Sequence, residues 1–112
     1  MSNGFVWHHN GSEIPADSAK FYEKLLGWTA SQGPGGMVML GQGAAPFAAI
    51  APKKGKVGGW VPYVQVDDVA TSTQRAVQFG AQLLEDQVRG PAGVYSVVRD
   101  PGGALVALWQ KA

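Results

Sequence analysis

The sequence contains no cysteine among its 112 residues, which excludes disulfides, a thiolate nucleophile and thiolate metal ligands. It also lacks any apolar run near the ~20 residues that a membrane-spanning helix needs, and no apolar segment of the signal-peptide type stands near the amino terminus. Nine basic residues stand against eight acidic ones, for a net charge of +1. This balance argues against a nucleic-acid or membrane surface as the partner. We therefore expect a cytoplasmic protein.

Glycine and tryptophan are present in surplus, with 16 and 4 copies, and their positions indicate an internal repeat. Trp7 and Trp60 each open an apolar run, and they are 53 residues apart. Gly27 and Gly80 each follow a helix-like stretch, and they are also 53 residues apart. This spacing predicts two related modules, residues 4–52 and 58–111, within a single domain of residues 1–112.

Each module is predicted to contain one strand, one helix and three further strands. Helical periodicity predicts the first helix over Ala16–Leu26, with Pro15 in its first turn and Gly27 as a left-handed cap. Phe21 and Tyr22 are expected to pack against the sheet. The predicted strands are Phe5–Asn10, Trp28–Ala30, Met37–Leu40, Phe47–Ala51, Gly59–Val66, Gln82–Glu85, Val94–Arg99 and Ala104–Gln110.

The segments between these strands carry turn and cap signals. Asp67 and Asp68 are expected to cap the second helix, because a carboxylate there accepts bonds from unpaired backbone N–H groups. Val88–Gly93 is expected to be a loop, and the small residues Gly41–Ala45 are expected to join two strands. The inner face of the second helix is predicted to be formed by Val69, Thr73, Ala76, Val77 and Gly80.

Five segments then carry a resemblance, by their order and spacing together. They are Val6-Trp7, Phe21–Trp28, Trp60–Tyr63, Val66–Val69 and Asp100–Ala104. In this arrangement the chain resembles the vicinal oxygen chelate superfamily, which includes glyoxalases, bleomycin-resistance proteins and extradiol dioxygenases. The resemblance covers nearly the whole chain and implies an α+β fold, in which two βαβββ modules form a curved mixed sheet around a cleft. It also implies a homodimer.

The resemblance further implies where a metal ion would be held, because catalytic members place one ligand on the first and one on the last strand of each module. Carried over by spacing, the four positions are Trp7, Ala49, Trp60 and Ala107. An indole N–H only donates a hydrogen bond and alanine has no donor atom, so neither type binds a dication. We therefore expect no metal and no cofactor, and a cleft lined by aromatic side chains.

Other residues could contact a ligand or take part in chemistry. His8 and His9 face opposite sides of a strand, and His9, on the face of Trp7, is a weak candidate for a general acid or base. Tyr63 and Gln65 share a face of their strand, and Tyr63 could orient a ligand through its hydroxyl. The predicted ligand-binding residues are Trp7, His9, Phe47, Ala49, Trp60, Tyr63, Gln65, Ala107 and Trp109.

The sequence leaves several functions open. The first is a metal-independent small-molecule binding protein. The second is a metal-independent enzyme of the lyase, isomerase or hydroxylase type that acts on a small carbonyl or aromatic compound. The third is a subunit-interaction role. A fourth, a metal-dependent lyase or dioxygenase, applies if the four ligand positions have been assigned to the wrong residues. The expected partners are a small organic ligand and a second copy of the chain, without nucleic acid or membrane.

Overall fold

A computed structural model describes residues 4–43 and 45–112 of the chain. The chain divides into two compact units. The first unit is Trp7–Trp60, and the second is Val61–Ala112 together with residues 4–6. Neither helix in the described ranges is both long enough and apolar enough to cross a membrane.

The first unit contains a helix and four strands in the predicted β-α-β-β-β order. The strands lie in the order β2-β3-β4-β1. β1 and β4 are parallel, and the two other neighbouring pairs are antiparallel. A short 3₁₀ turn, Pro34–Gly36, connects β2 to β3. The elements are β1 (Phe5–Ser12), α1 (Pro15–Leu26), β2 (Thr29–Gln32), β3 (Val38–Gln42) and β4 (Ala45–Pro52).

Helix α1 begins and ends where its sequence signals place it. Pro15 occupies the first turn, where its missing N–H costs nothing. Gly27 ends the helix with φ of 72°, in the left-handed region, and its N–H donates to the Glu23 carbonyl oxygen at 2.9 Å. The helix packs on one face of the sheet around a core of buried side chains, formed by Ala19, Leu40, Ala48 and Ile50.

The second unit repeats the same order of elements, which confirms the predicted β-α-β-β-β repeat. Its strands lie in the order β5-β8-β7-β6. β5 and β8 are parallel, and the two other neighbouring pairs are antiparallel. The elements are β5 (Gly59–Gln65), α2 (Val69–Gln78), β6 (Gln82–Gly90), β7 (Gly93–Arg99) and β8 (Leu105–Lys111).

Helix α2 is fixed at its start by a side-chain cap and in its middle by a buried polar contact. Asp68 Oδ1 accepts from the N–H groups of Ala70 at 3.0 Å and Thr71 at 3.3 Å, which confirms the predicted cap. Thr73 Oγ1 donates to the Val69 carbonyl oxygen at 2.6 Å and lies 2.8 Å from Ser96 Oγ on β7. This contact shows which face of the strands in the second unit carries α2.

Three local expectations differ from the structure. The loop predicted over Val88–Gly93 is wrong, because β6 continues to Gly90 and forms a hairpin with β7, interrupted by bulges. Phe21 does not pack into the core, since 57% of its surface is exposed, and Val77 on α2 is also exposed. The predicted connector Gly41–Ala45 is shorter, with β4 beginning at Ala45, and Ala44 lies outside the described residues.

Candidate functional site

The first unit has one sheet face covered by α1 and one face without a helix. Ala48 and Leu40 pair across β4 and β3 on the α1 side, so the residues that alternate with them point away from the helix. On that helix-free face His9 pairs with Ala49, and Ala49 pairs with Met39. Trp7 lies two residues before His9 and therefore shares this face. The predicted separation of His8 from His9 agrees with this register, because His8 pairs with Ala48 on the α1 side.

His9 is held as a neutral imidazole at neutral pH. Burial lowers the pKa of His9 below its ordinary value of 6.5, and the positive charge of Lys54 lowers it further. A neutral imidazole can accept a proton or a hydrogen bond, which suits a base or a polar ligand contact. Its neighbour Ala49 has no exposed surface. Ala49 is therefore a small, fully buried side chain next to His9 and has no surface that a ligand could contact.

Trp60 lies against α1, and its strand does not present it on a helix-free face. Its Nε1 donates to the Tyr22 hydroxyl at 2.8 Å, and the two rings meet edge-on with centroids 5.5 Å apart. Tyr22 also stacks on Trp28 at 5.5 Å. Phe47 meets Trp28 edge-on at 4.9 Å and packs against the core under α1. Two of the predicted ligand-binding residues, Trp60 and Phe47, therefore lie in the aromatic cluster on the helix side of the first unit.

Strand register explains why Trp60 and Phe47 lie on the helix side and not on the helix-free face. His9 pairs with Ala49 and Tyr63 pairs with Ala107, so the equivalent positions of β1 and β5 are 54 residues apart. The predicted repeat spacing of 53 residues is therefore one residue too short for these two strands. An error of one residue in a strand assigns a side chain to the opposite face of the sheet. A bulge between β3 and β4 leaves Phe47 without a partner on β3 and interrupts the alternation of side chains there. It is visible in the pairing, since Leu40 pairs with Ala48 while the next residue, Gly41, pairs with Pro46.

The helix-free face of the second unit gathers most of the remaining candidates. Ser96 and Gln110 lie on the α2 side, since they bond to Thr73 and to the Val69 N–H. The residues that alternate with them form two rows across the four strands. The first row is Tyr63, Ala107, Val97 and Glu85. The second row is Gln65, Trp109, Tyr95 and Val88.

Two tyrosines from neighbouring rows meet on this face. The rings of Tyr63 and Tyr95 have centroids 5.7 Å apart and are tilted by 43°. Burial, then the neighbouring Tyr95, then the Glu85 carboxylate raise the pKa of Tyr63 well above its ordinary value. Burial and the same carboxylate raise the pKa of Tyr95. Both phenols are therefore protonated at neutral pH and can donate a hydrogen bond.

Tyr95 and Glu85 are the residues of this face that the sequence interpretation missed. Tyr95 could have been found, because it falls in the predicted strand Val94–Arg99 and lies two residues from Val97, so that the two side chains share a face. Glu85 is the last residue of the predicted strand Gln82–Glu85, so the sequence pattern does not indicate its pairing with a neighbouring strand. The observed β6 continues past Glu85 and pairs it with Val97, so Glu85 lies on the same sheet face as the tyrosines.

The donor atoms at the first-strand and last-strand positions do not fit a four-ligand metal site. The register places His9 beside Ala49 and Tyr63 beside Ala107. Each unit thus offers at most one donor atom at these positions, an imidazole nitrogen in the first and a phenol oxygen in the second, beside a methyl group that cannot bind a dication. Within residues 4–43 and 45–112, no group of three His, Cys, Asp or Glu side chains could hold a metal ion.

The sequence matches known proteins over most of its length. The profile of a family described as "Glyoxalase-like domain" matches residues 11–109. The chain is 34% identical over 102 residues to "Putative glyoxylase CFP32" of Mycobacterium bovis, which covers 81% of this chain and 39% of that protein. It is 30% identical over 128 residues to "Anthracycline biosynthesis protein DnrV" of Streptomyces peucetius, covering 95% and 46% of the two chains. The chain thus spans less than half the length of these curated relatives.

The fold also matches solved structures. A glyoxalase/bleomycin resistance protein/dioxygenase superfamily member from Vibrio splendidus superimposes with a TM-score of 0.64 at 15% sequence identity. The match covers 94% of this chain and 97% of that one. At this identity the likeness establishes the fold alone. It confirms the predicted α+β class with its glyoxalase-like repeat of two βαβββ modules.

Proposed function

Because the chain belongs to the glyoxalase-like domain family, we propose that it binds a small organic molecule on its helix-free sheet faces, without a metal ion. The observation that carries this proposal is the aromatic surface of the second unit, where Tyr63, Tyr95 and Trp109 surround the fully buried Ala107. Aromatic rings with a few polar groups are typical of small-molecule sites. The phenols and the Gln65 amide supply those polar groups.

The first unit contributes a smaller set to the proposal. Trp7 and His9 lie on its helix-free face, and the neutral imidazole of His9 suits a hydrogen bond to an uncharged ligand. One relative is named as an anthracycline biosynthesis protein, which supports aromatic organic compounds as the first molecules to test.

Tryptophan fluorescence tests the proposal, with a built-in control. We expect a panel of soluble aromatic compounds to contain one that quenches the fluorescence saturably, and we expect Trp109→Phe to weaken that binding. Trp60→Phe is the matched control, because Trp60 is bonded to Tyr22 on the helix side. Binding should be unchanged after treatment with a chelator. Equal loss in both variants, or binding that needs an added divalent metal, would contradict the proposal.

A second function, a metal-independent enzyme, is favoured by the position of His9 on the helix-free face of the first unit and by its protonation state. In this function His9 is the proton acceptor, since its pKa is lowered by burial. Substrate turnover that His9→Ala abolishes, with little change in affinity, would establish it. Turnover that survives in His9→Ala would rule out this role.

The homodimer also remains a proposal. Phe21 and Leu25 on α1 are both more than half exposed, and exposed apolar side chains on one helix suit a subunit contact. Sedimentation at micromolar concentration should show a dimer. Replacing both residues with glutamate should give monomers, whereas a monomeric unmodified protein would refute the proposal.

A further inference from the structure

Glu85 is the acidic residue on the aromatic face of the second unit. It is half-buried on β6 and pairs with Val97, in the row that ends at Tyr63. Strand pairing places Glu85 on the same sheet face as the Tyr63 and Tyr95 rings, whose centroids are 5.7 Å apart, and its negative charge raises the pKa of both phenols. A half-buried carboxylate beside aromatic faces is a combination that attracts positive charge.

The basic groups on this face do not neutralise Glu85. Arg99 and Lys111 lie in the outer rows of the same face, and both are exposed. The Arg99 guanidinium instead donates to the Gly103 carbonyl oxygen at 3.5 Å. Within residues 4–43 and 45–112, no lysine, arginine or histidine nitrogen forms an ion pair with Glu85. The carboxylate is therefore available to a positively charged group from outside the described chain.

We propose that the second unit selects an organic cation, an aromatic or apolar molecule bearing an ammonium group, which it holds against the Tyr63 and Tyr95 rings and opposite the Glu85 carboxylate. Tyrosine faces attract cations through their ring electrons, and this attraction increases when the carboxylate is close and water is partly excluded. An anionic ligand would be repelled by the same carboxylate. The inference rests on the proposed function, because it names the chemical class of molecule that this face binds.

Three phenols with short para side chains of different charge test the charge preference by calorimetry. They are tyramine, its uncharged isostere para-propylphenol, and the anion para-hydroxyphenylpropionate. We expect tyramine to bind about tenfold more tightly than para-propylphenol, and the anion to bind most weakly. Glu85→Gln should bring tyramine and para-propylphenol to within about threefold of each other, because it removes the charge and retains the shape.

Asp86→Asn is the matched control, since Asp86 is the next residue, is exposed, and accepts from the side chain of Gln87. This variant loses the same charge and should keep the preference for tyramine. Circular dichroism and a thermal melt would establish that both variants are folded. The pH titration of tyrosine absorbance gives a second readout, in which Glu85→Gln should lower the pKa of Tyr95.

The outcomes separate this inference from the proposed function. If para-propylphenol or the anion binds as tightly as tyramine, the cation preference is refuted while the aromatic binding face stands. If Glu85→Gln keeps the preference, or Asp86→Asn loses it equally, Glu85 is not its source and the inference fails. If none of the three probes binds, the inference fails, while the fluorescence panel decides the proposed function separately.

Discussion

Replacing Ser96 with alanine should destabilise the second unit strongly, although the change removes only one oxygen atom. Ser96 has no exposed surface. Its Oγ accepts from the Gln87 N–H at 3.0 Å and lies 2.8 Å from Thr73 Oγ1. Gln87 has φ of 49°, in the left-handed region that costs energy for a residue other than glycine. The serine hydroxyl therefore ties a strained bulge of β6 to the helix α2.

The magnitude follows from what the substitution leaves unpaired. Without the oxygen, the Gln87 N–H loses its partner in a partly buried place, and such a loss costs about 1–3 kcal/mol. A loss of about 2 kcal/mol should lower the melting temperature by roughly 8–12 °C in a domain of this size. Ser31→Ala, at an exposed position on β2, is the control and should change stability by less than about 0.5 kcal/mol.

Urea unfolding followed by tryptophan fluorescence would measure both effects. A double-mutant cycle with Thr73→Val isolates the contact between the two hydroxyls, and we expect a coupling energy above about 0.5 kcal/mol. Our reasoning would be refuted by a Ser96→Ala protein as stable as the Ser31→Ala control. Strict additivity in the cycle would refute the coupling of the bulge to the helix through these hydroxyls.

Further predictions concern a cap, a glycine and a histidine. Asp68→Ala should cost about 1 kcal/mol in urea unfolding, because two N–H groups at the start of α2 lose their acceptor. Gly93→Ala should cost more than about 3 kcal/mol, since a Cβ there would overlap the Gln110 carbonyl oxygen, and a protein as stable as wild type would contradict that geometry. The pKa of His9 is lowered in the fold, so the unfolded chain binds the proton more readily. Stability should therefore fall as the pH drops below the ordinary value of 6.5 towards the folded pKa. His9→Gln should reduce this fall and His8→Gln should not, as thermal melts across that range would show.

The sequence predicted the elements well wherever local chemistry determines them. Pro15 and Gly27 bound α1 through backbone geometry that only these residue types favour, and Asp68 caps α2 through its own side chain. These signals act within a few residues, so they can be read without the fold. The prediction of a loop over Val88–Gly93 was wrong. Its glycine and proline residues indicate a turn, but the pairing of β6 with β7 depends on contacts across the hairpin.

The candidate site was predicted in part, because it depends on register between strands distant in sequence. Tyr63, Gln65 and Trp109 share a face as expected, since alternation within β5 and pairing with β8 agree. Trp60 does not share that face, because the repeat spacing differs by one residue between the first strands and the helix ends. Glu85 was missed since a bulged strand does not alternate regularly, and only the pairing with Val97 shows where its side chain points.

The hydrogen bond from Trp60 to Tyr22 has a consequence for dividing the gene. A fragment that stops at residue 52, the predicted end of the first module, would leave the Tyr22 hydroxyl without its indole donor and expose the ring stack beneath it. Trp60 is the last residue of the first unit, so the segment between residue 52 and Trp60 belongs to that unit. Half-gene expression and split reporters should therefore keep Trp60 with the first unit, although a cut after residue 60 leaves only Val61–Gln65 of β5 with the second.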